Sequence, residues 1–111
     1  MTDMFSMMGQ LGQVKEKMQE VKEKLPFMEL EEKSDDGLVT VTFTADKQIN
    51  HIEIDEGLIA ADKKANLQYQ ITETINAAME KADATYKDEM KKNLEGYLPN
   101  FPGLDLNNLP L

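Results

Sequence analysis

One histidine, His51, and 21 carboxylates are the groups in this 111-residue chain that acid–base or metal chemistry would have to use, because there is no cysteine. His51 precedes Glu53 by two positions, so in an extended segment both side chains point to the same side, as a base or metal ligand would need. No second histidine stands nearby to complete a metal set, and an isolated surface histidine is far more often idle. The adjacent carboxylates Glu31-Glu32 and Asp35-Asp36 fall at a strand end and in a turn, where they serve solubility better than paired acid–base work. The chain contains no glycine-rich phosphate loop, no nucleophile elbow and no HExxH pattern. The expectation is a protein that is not an enzyme and that uses no cofactor and no metal. Zero cysteine also removes disulfides and thiolate nucleophiles, which fits a reducing compartment.

The cations say more. All 12 basic residues are lysine, against 21 acidic ones, for a formal net charge of −9. Without arginine the chain lacks the rigid fork that reads guanine and clamps phosphate, so contact with a polyanion would rest on mobile point charges and be loose and salt-sensitive. Four of the lysines edge the seam of one predicted helix. Thr2 or Asp3 can cap its start, and apolar residues follow at Met4, Met7, Leu11, Val14, Met18, Val21 and Leu25, a heptad seam of about three repeats. Gly9 and Gly12 weaken its first turns and Pro26 ends it. Lys15 and Lys22 border the seam on one flank, Lys17 and Lys24 on the other. Two such helices in parallel would set lysine against lysine, so the seam is expected to pack on the sheet or on a partner's second helix, with lysine stems covering its edges. The same four lysines also form a double row suited to a phosphate backbone.

The segment that this helix must rest on is built from strands. Val39, Val41, Phe43 and Ala45 alternate with Thr40, Thr42 and Thr44, and Ile52 and Ile54 alternate with His51 and Glu53 across a short Asp46-Lys47-Gln48 reversal. That pattern is a half-buried hairpin. Met28 and Leu30 alternate with Glu29 and Glu31 ahead of a Ser34-Asp35-Asp36-Gly37 turn, which makes a first strand and completes an antiparallel meander. Ten acidic residues lie between Met28 and Asp62, with only Lys33 and Lys47 opposing them, so the sheet is a poor surface for nucleic acid.

Past the Asp55-Glu56-Gly57 break, Leu58 and Ile59 are expected to tuck onto the core and Asp62 to cap a second helix. Its apolar positions, Leu67, Ile71, Ile75, Met79, Ala82, Tyr86, Met90 and Leu94, follow a repeat near 3.6. From Lys63 to Glu95 it would span about 50 Å, whereas a three-stranded sheet is only about 15 Å wide. The overhanging stripe calls for a second subunit, hence a homodimer. Gly96 is a natural stop, and a tail rich in proline and leucine closes the chain. No apolar run approaches the ~20 residues needed to span a bilayer, and a cytoplasmic protein with no membrane contact is expected. The organisation is α+β in the order α-β-β-β-α: first helix over 1–26, three-stranded antiparallel meander over 27–55, second helix over 62–95 and tail over 96–111.

The amphipathic first helix ending near Leu25, the Gly37-Leu38-Val39-x-Val41 and Ile52-x-Ile54-Asp55 stretches, Leu58-Ile59, Asn76-Ala77-Ala78, Met90, Leu98-Pro99 and Pro102-Gly103-Leu104 together resemble the YbaB/EbfC family of nucleoid-associated DNA-binding proteins. The likeness covers nearly the whole chain. It implies a single domain, a tweezers-like cytoplasmic homodimer on the nucleoid, and binding of double-stranded DNA by the two helices with little sequence preference and a change in DNA conformation. Carried onto this chain, it points to Lys15, Lys17, Lys22 and Lys24 and to Lys87, Lys91 and Lys92. Neutralising ~6 phosphates would give a log–log salt slope near −5. The competing expectation, drawn from the acidic sheet and absent arginine, is a dimeric scaffold that holds a protein partner and binds no DNA of its own.

Overall fold

The computed structural model describes residues 3–95. Helix α1 (Asp3–Lys24) leads through a 3₁₀ turn, Leu25–Phe27, into strands β1 (Glu29–Lys33), β2 (Val39–Thr44) and β3 (Ile49–Ile54). Two further 3₁₀ turns, Glu56–Leu58 and Ala61–Lys63, precede helix α2 (Lys64–Leu94). The strands form one antiparallel sheet in the order β1-β2-β3. This is the α-β-β-β-α order expected from the pattern of periods. Thr2, the Gly96 stop and the tail lie outside the described residues, as do the side chains of Met4 and Met7.

Strand β2 is central because its alternation is strictest: Val39, Val41 and Phe43 are completely buried, while Thr40 and Thr42 stay half-buried on the opposite face. Burying each such side chain contributes roughly 1.5–3 kcal/mol. The covering layer is α2, whose Ala78 and Ala82 are also fully buried against that face together with Leu58. Alanine at these two positions lets the helix axis approach the sheet closely. The outer face of the sheet carries Glu31, Thr42 and His51 in one cross-strand row and Lys33, Thr40 and Glu53 in the next. Opposite β3, the register slips between Thr42 and Phe43, leaving Asn50 as the extra residue of a bulge.

Both hairpin turns use a residue at positive φ. In the first, Gly37 (φ 74°) donates its N–H to the Ser34 carbonyl, and a Cβ there would meet open space, so only the backbone conformation calls for glycine. In the second, Lys47 (φ 69°) takes the left-handed position although it has a side chain. Its Nζ lies 2.6 Å from Asp83 of α2, an ion pair that fastens the turn to the helix. On the other edge, Lys81 donates to the Glu31 carbonyl at 2.7 Å.

Three expectations are corrected. Asp62 does not cap α2: it lies inside the Ala61–Lys63 turn, and Lys63, which occupies the cap position, makes no side-chain cap bond. Leu58 tucks in, but Ile59 is 65% exposed, because the 3₁₀ turn held by Asp55 at Gly57 N–H turns successive side chains to different sides. The seam of α1 packs mainly on α2 of its own chain. Val21 and Leu25 are buried with Met90, Leu94 and Ala45, and Val14, Met18 and Tyr86 pack around them. The overhang of α2 beyond the sheet is therefore covered by α1, so its length alone does not demand a second subunit.

Candidate nucleic-acid interface

Two surfaces differ sharply in charge. A groove of about 360 Å³ lies between the β1–β2 turn and the first half of α2, lined by Glu32, Asp35, Asp36 and Glu73, with Lys33 as the one cation among them. Asp36 sits below the usual carboxylate range because it accepts from the Leu38 N–H and the Ser34 hydroxyl, and Gln70 also donates to it. Such a stabilised anion repels phosphate. The histidine pair is as expected, His51 Nε2 lying 2.9 Å from Glu53, but both side chains are well exposed. Among the described residues no group of three or more His, Asp or Glu side chains is placed to hold a metal ion.

The lysines lie at the other end of the molecule, where α1 packs on the last turns of α2. Lys24 Nζ meets Glu89 at 3.0 Å, and Asn93 of the next turn donates to the same carboxylate at 3.4 Å. Lys17 pairs with Glu20 at 3.2 Å, and Lys92 with Asp88 at 3.0 Å. The Asp88 contact, reinforced by Glu89, raises the Lys92 pKa above the ordinary lysine value. By contrast Lys15, Lys22, Lys87 and Lys91 make no ion pair among the described residues, and all but the half-buried Lys87 are exposed.

The sequence patterns located the helices that carry these cations, and the structure packs the C-terminal part of α1 on the last turns of α2. What they missed is Glu89. A glutamate on a charged helical segment reads as solvated, yet its side chain is only 12% exposed. Four-residue spacing from Tyr86-Met90-Leu94 places it on the flank of the seam, a signal that gains meaning only once α1 is known to lie there.

The YbaB/EbfC DNA-binding family profile matches residues 1–97. The chain belongs to the YbaB/EbfC family. A nucleoid-associated protein of Rhodopseudomonas palustris is 36% identical over 106 residues, covering 96% of this chain and all of that one. A nucleoid-associated protein of Flavobacterium johnsoniae is 31% identical over 103 residues, 93% of this chain and 95% of that one. Among solved structures, an uncharacterized protein of Helicobacter pylori superposes with a TM-score of 0.65 at 22% identity, over 79% of this chain and 92% of that one. That similarity supports the fold of this YbaB/EbfC chain. No described helix is long and apolar enough to cross a membrane.

Proposed function

We propose that this YbaB/EbfC protein is a nucleoid-associated DNA-binding protein that grips duplex DNA with lysines on α1 and the end of α2. What supports the reading is the packing of α1, which carries Lys15, Lys17, Lys22 and Lys24, on the last turns of α2, which carry Lys87, Lys91 and Lys92, together with the family match over residues 1–97. Point charges without arginine contact phosphates, not base edges, so binding is weak, low in sequence specificity and strongly salt-dependent, and reads the backbone and shape of the duplex. The acidic sheet turns away from the DNA. Bound along the duplex, the protein alters DNA conformation and contributes to nucleoid organisation and gene regulation in the cytoplasm.

The working unit is a homodimer. Leu67, Ile71, Ile75 and Met79 are only partly buried by their own sheet, and Ile59 in the turn ahead of α2 is well exposed, apolar surface that a second protomer would cover. Gel retardation of a mixed-sequence duplex at low salt tests the DNA reading: a shift that vanishes as salt rises supports it, and no shift removes it. Sedimentation tests the dimer, which a well-folded monomer at micromolar concentration would exclude.

A further inference from the structure

We infer that the DNA-contacting surface is one side of the α1/α2 pair, formed by Lys15, Lys22, Lys87 and Lys91, and that Lys17, Lys24 and Lys92 lie off it. This rests on the DNA-binding reading above and narrows it. At 3.6 residues per turn, the seam Val14-Met18-Val21-Leu25 divides α1, placing Lys17 and Lys24 on one flank and Lys15 and Lys22 on the other. On the last turns of α2 the seam Tyr86-Met90-Leu94 does the same, with Glu89 on one flank and Lys87 and Lys91 on the other.

Two packed helices share two flanks. Lys24 and Glu89 touch, so those two flanks lie on the same side of the interface, and the remaining flank of each helix lies on the opposite side. Lys15, Lys22, Lys87 and Lys91 therefore converge on one face. Their charges are the available ones, since none of the four makes an ion pair among the described residues. The carboxylates nearest that face on α2 are Asp83, which is taken by Lys47, Asp88, which is taken by Lys92, and Glu80 and Glu95 at its margins. On α1, Glu16, Glu20 and Glu23 project from the back of the helix and toward the Lys17 flank. Along α1, Lys15 and Lys22 are about 10 Å apart by helical rise. An acidic protein thus presents a small surface without compensating charge, suited to a stretch of sugar-phosphate backbone.

The test is the salt dependence of duplex binding for single lysine-to-glutamine variants of the full chain, with urea midpoints confirming that each folds. Between about 50 and 200 mM salt, removing one lysine–phosphate interaction reduces the fall in affinity by about 3.5-fold and flattens the log–log slope by about 0.9 per protomer. That flattening is expected for Lys15→Gln, Lys22→Gln, Lys87→Gln and Lys91→Gln, while Lys24→Gln and Lys92→Gln keep the wild-type slope. Acetylation footprinting gives a second readout without mutation: DNA should protect the first four lysines and leave Lys33 and Lys92 as reactive as in free protein. Equal flattening in both sets, or protection of Lys92 equal to that of Lys15, overturns the one-sided surface while leaving DNA binding standing. A wild-type protein that does not retard DNA at low salt overturns both.

Discussion

Replacing Lys24 with methionine should cost more than a surface ion pair is worth, and the reason lies in the unequal burial of its partner. The Lys24 side chain is 55% exposed, the Glu89 side chain 12%. Exposed pairs contribute about 0.2–1 kcal/mol, and breaking a fully buried pair costs about 3–5 kcal/mol. Here one ion is solvated and the other is not, so losing the ammonium leaves a largely dehydrated carboxylate with the Asn93 amide as its remaining donor among the described residues, at 3.4 Å. We expect a loss of about 1–2 kcal/mol, or roughly 5–15 °C in melting temperature for a domain of this size. Glu89→Leu tests the converse. Leucine at the edge of the Val21, Leu25, Met90 and Leu94 cluster adds apolar contact, and the Asn93 amide keeps the Glu89 backbone carbonyl as acceptor at 2.7 Å. The double variant Lys24→Met/Glu89→Leu should therefore recover most of the loss. Urea unfolding of the two singles and the double gives the coupling energy directly, with about 1 kcal/mol expected. A coupling below about 0.3 kcal/mol would show that the pair does not clamp α1 to α2, and with it would fall the energetic weight given to that contact.

Phe43→Ala, at the fully buried centre of β2, should cost about 3–5 kcal/mol, a large part of the stability of a domain of this size, and urea denaturation would read it as a shift in midpoint. Gly37→Ala should cost about 1–2 kcal/mol from the φ of 74° alone, because the added methyl meets nothing; a neutral result by thermal melting would show that the turn adjusts freely. Asp36 has its carboxyl held below the ordinary 3.8, so its contribution to stability is fully present above that value and is lost as pH falls through the lower folded-state value. Asp36→Asn should flatten that part of the acid limb of a stability–pH profile, and an unchanged limb would contradict the assignment.

How much of this could be read beforehand depends on the range of the interaction. The alternation Val39-Val41-Phe43 is local, and a period of two admits only a strand with one buried face, so the meander and its register direction were legible from residue types alone. The cap at Asp62 was misplaced because an acidic residue before a helix is also compatible with an extra 3₁₀ turn, and the sequence does not distinguish the two. Ile59 misled for a similar reason: one apolar residue after another in a 3₁₀ turn points elsewhere, whatever its hydrophobicity. The cover over the end of α2 was illegible in kind. Lys24 and Glu89 are 65 positions apart, and no periodicity within either helix says that α1 returns to shelter Met90 and Leu94. Length arithmetic then assigned to a second subunit a surface that the chain hides by itself.

That self-packing also bears on how a chain of net charge −9 can approach a polyanion. Uniformly spread, such a charge would oppose encounter at every orientation. Instead ten acidic residues fall between Met28 and Asp62, on the sheet and its turns, whereas Lys15, Lys22, Lys87 and Lys91 lie beyond it on the helices. At physiological salt the screening length is about 8 Å, shorter than the reach of α2, which at 31 residues extends about 46 Å. Carboxylates over the sheet are therefore muted at the far end of that helix, while lysines in contact with phosphate are not. At low ionic strength the screening length grows to about 30 Å and the acidic end is felt again. Two opposing trends follow: counterion release strengthens DNA binding as salt falls, and repulsion from the sheet erodes that gain. The log–log salt plot should consequently bend toward a shallower slope at its low-salt end, a curvature that neutralising Glu31 and Glu53 on the outer sheet face should reduce without changing the slope near physiological salt.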